Sequence, residues 1–147
     1  MDQKEKAIAF LKSDPIYYVN LLEVLRRDSA QLLAVEEGGV ILLDRESGSY
    51  MFALREGGKA LLDHIPQNAS LITGCNMWAL PLLEERLGLS WKMVVHSVAW
   101  LSPKPPELPV IPGLELRQLD RSWVPWAAGH YSTDFGGAAY MEGVVNR

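Results

Sequence analysis

A long apolar run followed by a proline-rich stretch divides this chain of 147 residues. The run covers residues 91–101 and would span roughly 35 Å as a strand, at about 3.3 Å per residue. Five prolines follow within residues 102–113, and proline cannot donate a hydrogen bond to a sheet. Beyond them, near-alternation of leucines and polar residues over 114–119 is typical of a half-buried strand. The sequence therefore predicts a folded unit over 1–101, a semi-rigid linker, and the opening elements of a second unit over 114–147.

Three shorter apolar runs come before that stretch and predict an antiparallel meander. They cover Gln31–Glu36, Val40–Asp44 and Tyr50–Leu54, and short glycine-containing connections of the kind found in hairpins separate them. Because the first two runs are apolar without alternation, we expect both faces of the sheet to be covered. The run 91–101 is predicted to be the longest and most central strand.

Apolar residues at helical spacing predict helices around these strands. The predicted helices are Lys4–Lys12, Pro15–Arg27 with Asp14 as its cap, Lys59–Ile65, Pro81–Leu87, one capped by Asp120 or Ser122, and Ala138–Val145. A short strand, Leu71–Thr73, is expected between the third and fourth of them. The predicted fold class is α/β, with a mixed, largely antiparallel sheet flanked by helices.

Charge and cysteine content exclude several kinds of partner and compartment. The chain carries 14 Lys and Arg against 18 Asp and Glu, a formal net charge of -4. Nucleic acid and anionic membranes need clustered cations, so neither is expected as a main partner. The lone Cys75 excludes an internal disulfide and is commonest in a reducing compartment, and the N-terminus lacks the long apolar run of a signal peptide. We expect a cytoplasmic protein.

The stretch Arg55–Ala60 is the strongest candidate for an anion-binding site. Its two glycines lie between a predicted strand and a predicted helix, where main-chain N–H groups and the helix dipole attract negative charge. It is not a P-loop, because Ala53 stands where the first glycine should be and Ala60 replaces the final Ser or Thr. A simple turn is the alternative interpretation.

Other residues with chemical potential have structural explanations. Cys75 precedes a predicted helix start, but no histidine is tied to it, so a small buried residue is favoured over a redox or thiol-transfer role. No pair of histidines has metal-ligand spacing, and no metal site is predicted. Asp134–Gly136 copies the metal-binding triplet of protein kinases without their catalytic or glycine-rich loops. The five tryptophans are explained by core and interface packing.

The order of elements resembles that of the GNAT acetyltransferase superfamily without its first strand. The amino-acid sequence also looks like the N-terminal half of bacterial two-module members related to glycine N-acyltransferases. The matching stretches are Tyr17–Leu22, Gly38–Leu43 and above all Leu114–Asp120, which is similar to the segment that opens the catalytic module. Tyr131 and Tyr140–Glu142 resemble the next two helices of that module.

This resemblance implies where acetyl-CoA and an amine would bind. In the family, main-chain amides of an Arg/Gln-x-x-Gly-x-Gly/Ala turn hold the pyrophosphate of acetyl-CoA, and Arg55, Gly58 and Ala60 satisfy that pattern. Tyr131, Phe135 and Tyr140 would contribute one wall of the acceptor pocket. The functional acetyl-CoA turn and the catalytic groups would lie beyond Arg147, so no catalytic residue is assigned in this chain.

Two functions follow as expectations. The first is the N-terminal portion of an acyl-CoA-dependent N-acetyltransferase, with acetyl-CoA as co-substrate and a small-molecule amine as acceptor, inactive or nearly inactive alone. The alternative is a non-catalytic binding or dimerisation module on a GNAT-like fold. An unclosed strand edge at Leu114–Leu119 and the Trp123/Trp126 face would then pair with another chain as a homodimer.

Overall fold

The computed structural model of the chain describes residues 2–96, 98–99, 101–105, 107, 109–115, 120–130 and 141–143. Contacts between Cα atoms divide the chain into two units, Met1–Trp100 and Leu101–Arg147. The first unit contains the sheet and most of the described core.

The first unit alternates helices with a four-stranded sheet. Its elements are α1 (Gln3–Leu11), α2 (Val19–Arg26), β1 (Ala30–Glu36), β2 (Gly39–Asp44), β3 (Ser49–Leu54), a 3₁₀ helix (Glu56–His64), β4 (Ile72–Gly74), a short 3₁₀ helix (Met77–Ala79) and α3 (Leu80–Leu87). The strand order is β1-β2-β3-β4. The first two pairings are antiparallel, which confirms the predicted meander, whereas β4 runs parallel to β3. The described fold is therefore mixed α/β with a mostly antiparallel sheet.

Both faces of the sheet are buried, as the sequence predicts. Val40 and Leu42 of β2 belong to a core that also contains Leu11 of α1 and Leu21 of α2. Their neighbour Ile41 points to the opposite face, where the core includes side chains of the 3₁₀ helix and of α3. Successive strand residues alternate between faces, so an unbroken apolar run fits a strand with helices on both sides.

The second helix begins later than predicted. Pro15 was expected at its first position, but α2 starts at Val19. The Asp14 carboxylate accepts a hydrogen bond from the Tyr17 N–H at 3.1 Å, and the Asp14 carbonyl accepts one from the Tyr18 N–H at 3.0 Å. Asp14 thus closes a single turn over residues 14–18, and the α-helix begins only after this turn.

The two predicted helices after β3 form with changed geometry or bounds. Lys59–Ile65 lies largely within a 3₁₀ helix that begins at Glu56, next to Gly57. Pro81–Leu87 belongs to α3, which ends at Gly88 in the left-handed conformation with φ 60°. Glycine adopts that conformation without steric cost, which accounts for the helix end at the predicted position.

The predicted long strand over 91–101 is wrong for the described part of that range. Residues 91–96, 98–99 and 101 do not form a strand and are exposed to solvent. An apolar run indicates that side chains favour burial, but a strand forms only where another main chain pairs with it. Among the described residues, this run has the composition of a strand, but no strand pairs with it.

The turn between β2 and β3 is organised by Asp44, which is 5% exposed. Its carboxylate accepts hydrogen bonds from the Ser47 hydroxyl at 2.7 Å and from the Glu46 N–H at 3.2 Å. Burial alone favours the neutral acid, but hydrogen bonds from Ser47, Ser29 and the Glu46 N–H, together with the positive charge of Arg27, outweigh burial and lower the pKa of Asp44.

A lowered folded-state pKa makes this carboxylate stabilising only while it is ionised. We expect Asp44→Asn to lower the free energy of unfolding at about pH 7, and the loss to shrink below about pH 4, near the pKa of an unfolded aspartate. Urea unfolding of both proteins at about pH 7 and about pH 3 measures this difference. An equal loss at both pH values would show that ionisation of Asp44 contributes nothing.

In the second unit, the described elements are a 3₁₀ helix (Arg121–Trp123) and α4 (Val124–His130). Asp120 caps them as predicted, accepting a hydrogen bond from the Ser122 N–H at 2.8 Å. Leu114 and Glu115 carry no strand assignment, so the predicted strand 114–119 is wrong at its start, and its remaining residues lie outside the described part. Of Ala138–Val145, residues 141–143 are described, and they are helical.

Candidate functional site at the ends of β3 and β4

The carboxyl ends of β3 and β4 meet at one edge of the sheet, because these strands are parallel. Ligands of open α/β sheets commonly bind at such an edge. The turn Arg55–Ala60 follows β3, and Cys75 and Asn76 follow β4. The structure therefore places the predicted anion-binding turn and the lone thiol at the same edge of the sheet.

Arg55 is held on both its main chain and its side chain. Its N–H donates to the Gly38 carbonyl at 2.9 Å, which ties the turn to the β1–β2 hairpin. Its guanidinium carbon lies 4.9 Å from the centre of the Phe10 ring of α1. A cation at this distance from an aromatic face is attracted to it. Within the turn, Arg55 thus serves a packing role that the sequence pattern does not reveal.

Gly58 is required by a close approach of two main chains. Its N–H donates to the Arg55 carbonyl at 2.8 Å, and the residue is buried. A Cβ atom added here would lie less than 3.0 Å from the main chain of Gly38. Gly57 beside it is exposed, and a Cβ added there would meet nothing within 4 Å. Ala60 is exposed on the same 3₁₀ helix.

The Asn76 side chain forms hydrogen bonds with both main-chain polar groups of Leu54, the last residue of β3. Its side-chain oxygen accepts from the Leu54 N–H at 2.7 Å, and its amide nitrogen donates to the Leu54 carbonyl at 2.8 Å. Both residues are buried. The pairing of β3 with β4 ends at Phe52 and Gly74, so this side chain continues the pairing one step further. A ligand at this edge therefore finds these two groups of Leu54 already hydrogen-bonded.

Tyr17 and Cys75 link the α1–α2 connection to the end of β4. The Tyr17 hydroxyl donates to the Cys75 carbonyl, and the Cys75 thiol donates to the Tyr17 carbonyl at 3.5 Å. Burial raises the pKa of the Cys75 thiol. Burial, followed by the proximity of Cys75, also raises the pKa of Tyr17. An activated cysteine needs a lowered pKa, so this environment opposes a redox or thiol-transfer role.

Tyr131, Phe135 and Tyr140 lie outside the described residues. Across the part of the chain that the structure describes, no group of three His, Cys, Asp or Glu side chains could hold a metal ion. Nor does any helix in the described ranges have the length and apolarity needed to cross a bilayer.

Sequence reasoning missed the roles of Asn76 and Phe10. Asn76 lies in the short connection between a predicted strand and a predicted helix, Phe10 lies within a predicted helix, and the local pattern singles out neither. Both roles depend on contacts with residues far away in sequence: Asn76 with Leu54, and Phe10 with Arg55. The one local sequence signal for these contacts is the polar Asn76 close to a short apolar strand.

Comparison of the chain with protein-family models, with curated proteins and with solved structures gave no match. The acetyltransferase resemblance therefore rests on the residues quoted above, and its consequences for function are proposals.

Proposed function

We propose that this chain is the N-terminal portion of an acyl-CoA-dependent N-acetyltransferase, in which it acts as a scaffold. The observation that carries the proposal is the order of elements in the first unit. Two helices, three antiparallel strands, a short helix, a further strand and a helix follow one another in the order that the resemblance implies, but the strand that should end this order, over residues 91–101, is not formed in the described part of that range. The turn Arg55–Ala60 lies in the corresponding place, after the third of these strands.

The scaffold role follows from how the groups of that turn are used. The Gly58 N–H donates within the turn, and the Arg55 guanidinium faces Phe10. Asn76 already satisfies the N–H and carbonyl of Leu54. An anion at this edge would have to compete with these contacts, so we assign acetyl-CoA binding to the module that the resemblance places after Leu114.

In the complete enzyme, a primary amine would attack the carbonyl carbon of the acetyl thioester, forming an amide as the thiol of CoA leaves. A base would take the amine proton, and main-chain N–H groups would polarise the carbonyl. Tyr131, Phe135 and Tyr140 are proposed to line the amine pocket. No residue of the first unit is proposed to touch the reacting atoms.

Acetyl transfer by the enzyme that contains this chain tests the proposal. With a panel of primary amines, we expect acetyl-CoA-dependent release of CoA. Gly58→Ala, which disturbs the scaffold, is expected to lower this rate at least about 10-fold at a temperature where the parent protein is folded. The neighbouring Gly57→Ala is the matched control and should leave the rate unchanged. Absence of acetyl transfer to every amine would contradict the family assignment.

A second candidate function is a non-catalytic binding or dimerisation module on the same sheet. The observation that favours it is the exposure of apolar residues after α3, where Trp91, Met93 and Val95 are 67–69% exposed. The oligomeric state of the chain without acetyl-CoA distinguishes the two functions, because only the second requires the chain to associate.

A further inference from the structure

A groove lies between α1 and α2, the two helices that cover one face of the sheet. Its volume is about 300 Å³, and its apolar lining consists of Ile8, Leu22 and Leu25. Ile8 and Leu22 are only partly buried, although both pack against the core beneath the helices. The groove therefore leaves apolar surface from two adjacent helices in contact with water.

Among the described residues, every charged side chain that lines this groove is a cation. These cations are Lys4 of α1, Lys12 at the C-terminal end of α1, and Arg26 of α2. Lys4, Ile8 and Lys12 are four residues apart, so they follow one another along one side of α1 over roughly 12 Å, at about 1.5 Å per residue. The whole chain has more acidic than basic residues, so composition alone does not explain this grouping. The α1 wall of the groove thus has positive charge on both sides of an apolar side chain.

The contacts of these cations leave them able to bind further carboxylates. Lys4 Nζ lies 2.8 Å from an Asp28 carboxylate oxygen. Arg26 Nε lies 2.8 Å from a Glu23 carboxylate oxygen. All four side chains are at least 43% exposed, and such exposed ion pairs contribute little to stability. In the described part of the chain, Lys12 has no ion pair at all.

We propose that the α1–α2 groove is a docking site for an amphipathic helix of a partner protein, in which acidic residues flank the apolar ones. The ridges and grooves of packed helices accept a further helix, and an apolar helix face laid into such a groove is a common mode of recognition. A partner helix with an acidic, an apolar and a second acidic residue four positions apart matches Lys4, Ile8 and Lys12, because both helices rise equally per residue. This inference does not depend on the acetyltransferase proposal.

The charges of the groove favour this occupant over others. A second copy is disfavoured, because twofold pairing through Ile8 would place Lys4 of one copy opposite Lys12 of the other, and like charges repel. Anionic membranes bind clusters of about four to eight Lys and Arg, more than the three cations of this groove. A helix with a few carboxylates beside its apolar residues satisfies both the charge and the apolar lining.

Charge reversal on both partners tests the docking site. The probes are two fluorescent, alanine-rich helical peptides of equal length, with either Glu or Lys four positions before and after a central leucine. Fluorescence anisotropy gives their affinities. We expect the parent protein to bind the Glu peptide at least about 10-fold more tightly than the Lys peptide, and the double variant Lys4→Glu, Lys12→Glu to reverse this preference.

The double variant Lys59→Glu, Lys104→Glu is the matched control. It changes the net charge by the same amount at exposed lysines that do not line the groove, and it should keep the preference of the parent protein. Circular dichroism spectra of the three proteins should coincide. A preference that both double variants alter equally would show that only net charge matters, and would overturn the proposal.

Amide chemical shifts of the isotopically labelled parent protein locate the bound Glu peptide. We expect the largest changes at residues 4–12 and 22–26, which include the whole lining of the groove. Absence of binding by the Glu peptide, or largest changes outside these residues, would overturn the proposal. Binding to vesicles of phosphatidylcholine and phosphatidylserine in place of the Glu peptide would identify a membrane contact, and would equally overturn it.

Discussion

Replacing Gly58 with alanine is expected to lower the free energy of unfolding by about 3 kcal/mol. The added Cβ would lie less than 3.0 Å from the main chain of Gly38, and neither main chain can move without disturbing an attached strand. Gly38 precedes β2, and its carbonyl accepts the Arg55 N–H that fixes the start of the turn. Urea unfolding followed by circular dichroism gives the free energy of unfolding.

Gly57→Ala is the matched control for this change. Gly57 is exposed, and its added Cβ would meet nothing within 4 Å. We expect its unfolding free energy to lie within about 0.5 kcal/mol of the parent protein. Similar effects for the two glycines would contradict the close approach of Gly58 and Gly38, and with it the packing role assigned to the turn.

Replacing Asn76 with alanine is expected to lower the free energy of unfolding by about 3 kcal/mol, since it leaves two buried polar groups of Leu54 without partners. Leu54 is 2% exposed, so water cannot readily replace the lost amide. Asn68 is exposed, and Asn68→Ala serves as the control, with an expected change within about 0.5 kcal/mol. The same urea unfolding experiment measures all three proteins.

Asn76→Asp separates hydrogen bonding from side-chain size. Its carboxylate would still accept from the Leu54 N–H but would place a negative oxygen against the Leu54 carbonyl oxygen. We expect a loss at neutral pH at least as large as that of the alanine variant. The loss should decrease in acid, where the carboxyl becomes protonated and can donate. If Asn76→Ala were as stable as the parent protein, the bridge to Leu54 would have no energetic role.

Local patterns sufficed for the hairpins and for both ends of α3. The glycine connections and apolar runs of β1, β2 and β3 are signals within neighbouring residues, as is Gly88 after α3. The parallel addition of β4 was not predicted, because three residues carry no directional signal. The apolar run from residue 91 shows the opposite limit, since its composition predicts a strand but cannot supply a pairing partner.

The sequence predicts where the candidate site lies but not which contacts its residues make. The sequence places Arg55 and Gly58 on one turn after a strand, which the structure also shows. It does not reveal that Gly58 faces Gly38, because a glycine required for main-chain packing and one required for phosphate binding look the same. The bridge from Asn76 to Leu54 spans 22 residues, beyond any local pattern.

Titration of the full chain with acetyl-CoA by isothermal calorimetry tests most directly whether the first unit is a scaffold. The account predicts no saturable binding, because the groups that would hold the pyrophosphate are engaged within the protein. Gly57→Glu should then behave like the parent protein, as should its control Gly129→Glu, which adds the same charge at another open glycine. Saturable binding of acetyl-CoA that Gly57→Glu abolishes and Gly129→Glu preserves would contradict the account.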